Sequence, residues 1–183
     1  MIKNIIIGQN SFVTKSVKKY LKNTVIFSAN ELSNKSINKN INIYKKINLI
    51  FNNFYPSKLL NELNHKNYND FCDLSLKKIS LLFKAVPSTK INKILYTSSA
   101  AIYRLSKNIN NQKKDFYNRE LYSSFKLAAE KLILNYSINK KKDYFIMRLF
   151  NTYGDQQDKF SFIEKIIKAK KNRDQITLIN DGM

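Results

Sequence analysis

Two segments of the chain carry residue types able to do chemistry together. Ser98-Ser99-Ala-Ala-Ile-Tyr103 sets two hydroxyls just ahead of a phenol. Further on, Tyr122-Ser-Ser-Phe-Lys126 sets a phenol and an ammonium one helical turn apart. A hydroxyl at a strand end can polarise a sugar or ketone oxygen, a phenol can move its proton, and an ammonium can hold that phenol partly ionised. This is the set of a reductase-type site, with Ser99, Tyr122 and Lys126 as its candidate catalytic residues. A free Tyr titrates near ~10, so work as a base at neutral pH needs a shift of about three units, roughly 4 kcal/mol. A cation at i+4 on the same helix face supplies part of that, so the expectation is a Tyr122 with lowered pKa beside a charged Lys126.

Spacing alone does not select this pair. Tyr-x-x-x-Lys occurs at Tyr103/Lys107, Tyr122/Lys126 and Tyr136/Lys140. Context separates them: Tyr122 opens the strongly helical run Leu127-Ala-Ala-Glu-Lys-Leu-Ile-Leu134, whereas Tyr136 falls near its expected frayed end among Asn and Lys.

The elements that must position these residues follow from hydrophobic patterning. Short apolar runs at Ile2–Ile7 and Ile47–Phe51 read as buried strands, and Thr24–Phe27, Lys93–Thr97 and Tyr144–Met147 as further strands. Helical spacing occupies Ser11–Leu21, Tyr68–Val86 (ended by Pro87), Arg119–Ile138 and Phe160–Ala169, and Gln175–Ile179 reads as a last strand. Residues 30–46, rich in Asn, Ser and Lys, read as a long loop or a poorly formed element. Strand–helix alternation of this kind predicts an α/β fold with a doubly wound parallel sheet. Ligands of such sheets bind beyond the carboxyl ends of the strands. Gly8, Asn52, Asn53, Ser98, Ser99 and Asn151 all fall there.

Composition narrows the function classes. The net charge of +20 is carried almost entirely by Lys, with only Arg104, Arg119, Arg148 and Arg173 as arginines. These lysines accompany heavy Asn and Ile usage along the whole chain, the pattern of an A/T-biased genome, and do not gather on one element as nucleic-acid readers require. No specific nucleic-acid binding is expected, although a basic field attracts phosphate-bearing ligands. No apolar run of about 18 residues and no leader pattern is present, so no membrane association and a cytoplasmic location are expected. One Cys and one His, Cys72 and His65, exclude a disulfide framework and a zinc site, and no metal is expected. Cys72, among Phe71, Leu74 and Leu76, reads as a core or semi-buried thiol.

Taken together, three ordered motifs resemble the extended short-chain dehydrogenase/reductases, specifically the NAD-dependent epimerase/dehydratase family acting on nucleotide sugars. Lys93-Ile-Leu-Tyr-Thr-Ser-Ser-Ala-Ala-Ile-Tyr103 is similar to the family's strand-four motif, in which the Ser matching Ser99 is catalytic. Tyr122-Ser-Ser-Phe-Lys-Leu-Ala-Ala-Glu130 resembles the Tyr/Lys helix with its downstream Glu. Phe145-Ile-Met-Arg-Leu-Phe-Asn-Thr-Tyr-Gly154 resembles the segment whose Asn, here Asn151, meets the substrate, with Leu149 near the nicotinamide and Phe150 near the sugar. The resemblance implies a Rossmann-like fold, NAD or NADP as cofactor, a nucleotide-sugar substrate, and an epimerase or reductase activity; homodimerisation is compatible with it. Cofactor contacts are implied for Gly8, Ser11, Phe12, Val13, Asn52, Tyr122, Lys126 and Leu149, and substrate contacts for Ser99, Phe150 and Asn151.

Departures from the family pattern set the competing expectation. The glycine fingerprint reads Gly8-Gln-Asn-Ser11-Phe-Val-Thr14, with Ser and Thr in place of the second and third glycines. Side chains there oppose close backbone approach and close helix–strand packing, so a non-catalytic Rossmann-like module with a degenerate glycine motif is the alternative. No acidic residue stands directly after the second strand, Arg104 replaces a glycine, and Ala100-Ala101 replace the Asp-Glu pair of sugar dehydratases, which disfavours elimination of water. Residues 1–154 are expected to form the dinucleotide-binding domain and 155–183 the beginning of an incomplete substrate-binding lobe.

Overall fold

The computed structural model describes residues 1–52, 59, 63, 66–104, 114–150, 152–154 and 162–175, with the backbone alone described at 104, 114–120 and 162. The chain divides into two compact units, residues 1–150 and 151–183.

The first unit is a five-stranded parallel sheet in the order β2-β1-β3-β4-β5, where β1 is Lys3–Ile7, β2 Thr24–Phe27, β3 Ile47–Phe51, β4 Ile91–Ser99 and β5 Asp143–Leu149. This is the expected doubly wound, Rossmann-like architecture. β2 and β3 have the limits that the apolar runs predict. The chain leaves β1 toward β2 on one side and returns to place β3 on the other, which opens a crevice at the carboxyl ends of β1 and β3. Gly8 and Asn52 flank it, tied together through the Asn52 N–H, which donates to the Ile7 carbonyl at 2.8 Å.

Side-chain alternation sends Ile5, Ile7, Leu49, Phe51, Ile94 and Tyr96 into one continuous core. Helix α2 (Asn34–Asn40) adds Ile37 to that core, α4 (Lys78–Ala85) adds Ile79 and Leu82, and α5 (Lys114–Asn139) adds Ala129 and Ile133. Each fully buried Ile or Leu is worth about 2 kcal/mol in apolar transfer, which is why strands as short as β1, β2 and β3 suffice. Helix α1 (Phe12–Val17) follows β1 and gives way at once to a 3-10 turn over Lys18–Tyr20.

Three expectations are corrected. Residues 30–46 are not a loop throughout: α2 forms there because Ser33 and Ser36 make a reciprocal capping box and Ile37 is fully buried. Cys72 is exposed; α3 (Tyr68–Cys72) turns Phe71, not the thiol, inward, and a π-helical stretch over Asp73–Lys77 leads from it into α4. Tyr136 is no frayed-end residue: its ring stacks on Phe83 at 3.8 Å, tying α5 to α4. Of the second unit, α6 (Phe162–Asn172) is the described helix. Residues 160–161 of the helix expected there, and 176–179 of the last expected strand, lie outside the described residues.

Candidate active site

β4 and β5 run side by side in parallel, with Ser99 opposite Leu149 at their carboxyl ends. α5 is the crossover between them, and its face toward β4 carries Tyr122, Lys126 and Glu130 at successive turns. This spacing stacks the three on one helix face, and the β4 side chains meet them there.

Ser99 closes β4. Its Oγ accepts the Ala101 N–H at 3.2 Å and is hydrogen-bonded to the Tyr122 hydroxyl. Ser123 anchors the same turn by donating to the Ala101 carbonyl at 3.2 Å. Tyr122 is half-buried, packed near Leu63, Phe71 and Phe125. Burial pushes its phenol above the usual value, and the Ser99 hydrogen bond opposes that only in part. The expected lowering is therefore not found.

Lys126 lies one helical turn further along α5. Only 5% of it is exposed, and its Nζ donates to the Thr97 carbonyl at 2.8 Å while lying 5.1 Å from the Tyr96 ring centroid and 5.9 Å from that of Tyr122. Burial lowers its pKa to about 7, with the Glu130 carboxylate pulling the other way. Near neutral pH the expected cation is thus about half discharged. Tyr96, fully buried, is pushed well above the usual phenol range by burial and by its Tyr122 and Glu130 neighbours.

Behind Lys126 stands a bidentate ion pair. Arg148 of β5 donates from Nε to Glu130 Oε1 at 3.0 Å and from Nη2 to Oε2 at 2.7 Å. Burial alone would raise the Glu130 carboxyl, but the hydrogen bonds and the charges of Arg148 and Lys126 hold it below the usual range. The Arg148 guanidinium also lies 4.9 Å from the Tyr103 ring, and Tyr103 stacks on Phe150 at 6.5 Å. Tyr103 and Phe150 are both largely exposed, forming an aromatic rim beside Ser99. The sequence reading gave Arg148 no role; the signal available was the Glu130-to-Arg148 separation across one helix–strand crossover.

At the β1 end, Gly8 adopts φ 114°, a conformation closed to residues with a Cβ. Its N–H donates to the Phe27 carbonyl, and its carbonyl accepts the Ser11 N–H at 3.1 Å, which forms the tight turn. Ser11 is the N-cap of α1 with its side chain unused as a cap. Phe12 and Val13 follow, both partly exposed. A cavity of about 380 Å³ beside this turn is lined by Gln9, Asn10, Thr14, Lys15, Lys18 and Ile26. A larger one of about 530 Å³, between Lys93, Leu95 and residues 142–145, lies at the amino ends of β4 and β5, away from this chemistry. Thr14 is 1% exposed, and its Oγ1 accepts from Asn52 Nδ2 at 3.0 Å; Asn52 Oδ1 in turn accepts from Thr97 Oγ1. A buried hydroxyl without a partner costs about 1–3 kcal/mol, and this bond supplies the Thr14 hydroxyl with one.

A dinucleotide fits these residues. The Gly8 turn stands at the switch point, the Thr14 hydroxyl is turned to Asn52, and Lys126 is a buried amine whose charge gains from an oxygen-rich partner. Ser99, Tyr122, Lys126 and Leu149 come together; Gly8, Ser11, Phe12, Val13 and Asn52 gather at the other end of the same crevice. Asn151 lies outside the described residues.

The family model described as NAD dependent epimerase/dehydratase matches residues 10–183. The chain belongs to that family. No curated protein matches the sequence. Among solved structures, the fold is similar to a UDP-N-acetylglucosamine 4-epimerase from Methanobrevibacter ruminantium in complex with UDP-N-acetylmuramic acid, at TM-score 0.68 and 17% identity over 98% of this chain and 66% of that one. It is also similar to a UDP-glucuronic acid 4-epimerase from Bacillus cereus in complex with NAD, at TM-score 0.67 and 14% identity over 100% of this chain and 67% of that one. A capsular polysaccharide assembling protein, CapF from Staphylococcus aureus, aligns at TM-score 0.60 and 18% identity over 97% of this chain and 44% of that one. This epimerase/dehydratase family chain thus spans between about two fifths and two thirds of the length of these neighbours. No helix among its described residues is long and apolar enough to cross a membrane.

Proposed function

We propose that the chain is the dinucleotide-binding part of an NAD-dependent nucleotide-sugar epimerase, acting on a UDP-linked sugar in the cytoplasm. The observation that carries this reading is the Ser99–Tyr122 hydrogen bond backed by the buried Lys126. Ser99 and Tyr122 hold one substrate hydroxyl oxygen between them, and Tyr122 takes its proton as the carbinol carbon is oxidised. A bound nicotinamide would supply the hydride acceptor and, for the return step, the hydride donor. Tyr122 gives its proton back to the same oxygen, so atoms and electrons balance over the cycle.

Burial keeps Tyr122 a phenol, and its work as a base requires Lys126 in the charged form. Lys126 would regain that charge on hydrogen bonding to ribose hydroxyls, so binding and activation of Tyr122 would be linked. Gly8, Ser11, Phe12 and Val13 would hold the pyrophosphate, and Leu149 would pack on the nicotinamide. Ala100 and Ala101 lack the carboxylates that elimination of water needs, which favours epimerisation, or reduction of a ketone, over dehydration. Phe150 and Asn151 would meet the substrate, with 155–183 as the start of its lobe.

Calorimetric titration with NAD(H) and NADP(H) tests the reading. Saturable binding of NAD(H) in the micromolar range, tighter than NADP(H), is the expected outcome. Absence of binding at millimolar concentration by the folded chain would instead favour a non-catalytic module, the reading that Ser11 and Thr14 support.

A further inference from the structure

The hydrogen bonds at the two ends of the crevice form one buried chain. Thr14 Oγ1, on α1, accepts from Asn52 Nδ2 at the end of β3; Asn52 Oδ1 accepts from Thr97 Oγ1 on β4; and the Thr97 carbonyl accepts from Lys126 Nζ on α5 at 2.8 Å. Exposure is 1% at Thr14, 8% at Asn52, 8% at Thr97 and 5% at Lys126, so water does not compete for these bonds. In a low-dielectric interior each bond fixes the next, and a missing partner is costly.

Asn52 is the junction. Its amide presents a donor to Thr14 and an acceptor to Thr97, which no apolar residue and no carboxylate reproduces. Its own N–H is held by the Ile7 carbonyl, so the backbone beneath the amide is also fixed. With both ends of the amide engaged inside the protein, its geometry suits support and not direct ligand contact.

We propose that Asn52 is a positioning residue: by bonding Thr14 and Thr97 together it seats a threonine where glycine is usual and fixes the β4 carbonyl on which Lys126 rests. This rests on the reading of Lys126 as part of the reacting set. It also accounts for the departure at Thr14, because the hydroxyl that enlarges the helix start is the one that completes the chain. Lys126 is faced by Tyr96 of β4 and by Tyr122 and Glu130 of its own helix, and Asn52 acts on it only through Thr97.

The test follows the Lys126 amine directly, in the whole chain carrying ¹³C at the lysine Cε, with the Lys126 signal assigned as the one lost in Lys126→Met. Thr97→Val deletes Oγ1 while keeping the carbonyl; Asn52→Leu deletes both amide bonds at similar volume. Ser137→Ala, at a fully buried hydroxyl on α5 outside this chain of bonds, is the control. The Lys126 titration midpoint should rise by at least about half a pH unit in Thr97→Val and further in Asn52→Leu, as water reaches the loosened amine, and stay unchanged in Ser137→Ala. NADH affinity should fall at least ~3-fold in both chain variants and not in the control. Midpoints unchanged in both cooperatively melting variants, or shifted equally by Ser137→Ala, would overturn the proposal. Should Asn52→Leu fail to fold, Thr97→Val decides alone. If the unaltered chain binds no dinucleotide, the functional reading falls, while the titration still judges Asn52.

Discussion

The two ends of the crevice handle their family motifs in opposite ways. At the β4–β5 end, Ser99, Tyr122, Lys126 and Glu130 resemble the family's motif, yet the electrostatics differ from what the motif suggests, with an amine about half discharged near neutral pH and a raised phenol. At the β1–β3 end the sequence departs from the motif, with Ser11 and Thr14 where it has glycines, yet the buried Thr14 hydroxyl finds a partner in Asn52, itself bonded to Thr97. Matching residues do not guarantee a matching charge state, and mismatched residues do not guarantee a broken turn. Charge state depends on burial, which a motif leaves unstated. Turn geometry depends on whether an extra side chain finds a partner.

Breaking the β4–β5 end should give the largest effect. Tyr122→Phe keeps the ring that packs near Phe71 and Phe125 and removes the hydroxyl held by Ser99. In an assay with NAD and a UDP-sugar, kcat should fall at least ~10²-fold, the usual worth of a positioned acid or base. Tyr136→Phe keeps its stack on Phe83 and should stay within a few-fold of the unaltered chain. Equal losses at both would mean that the hydroxyl of Tyr122 has no special place.

The β1–β3 end breaks differently. Gly8→Ala forces a Cβ onto a backbone at φ 114° and should cost about 1–3 kcal/mol, read as a lower urea midpoint together with loss of dinucleotide binding. An unchanged midpoint would show that the turn relaxes freely, and the contrast between the two ends would lose its footing.

The smallest effect sharpens the comparison through pH. The Lys126 pKa is lowered on folding from 10.5 to about 7, so between those values the unfolded chain binds more protons than the folded one, and stability rises with pH. Below about pH 7 the amine is charged in both states and the contribution is flat. The expected slope between about pH 7.5 and 9.5 is roughly 1 kcal/mol per pH unit from this group. The raised Tyr122 and Tyr96 phenols act in the opposite sense only above about pH 10. Urea unfolding across this range, repeated with Lys126→Met, isolates the slope; its survival in the variant would place the titration elsewhere.

Much of the architecture was legible before any coordinates because it depends on local pattern. Runs such as Ile47–Phe51 can satisfy their backbone and bury both faces only as central strands, so their limits follow from composition. The meeting of Ser99 with Tyr122 was legible for a related reason: a strand end and a helix one crossover away are brought together by the topology of parallel sheets. α2 was missed because abundant Asn and Lys blur the contrast between helix surface and loop, and its start is marked only by Ser33 and Ser36 around one buried Ile37.

What the sequence by itself determined, then, is the order of strands and helices and the convergence of hydroxyl, phenol and amine at one end of the sheet. Those rest on periodicity and connection length, which are properties of the chain. Tertiary structure alone decided that Cys72 faces solvent, that Thr14 finds a partner in Asn52, and that Lys126 sits in surroundings that strip its charge. Each depends on how much water and which dipoles surround a side chain after packing. Residues distant in sequence supply those surroundings, so no local pattern encodes them.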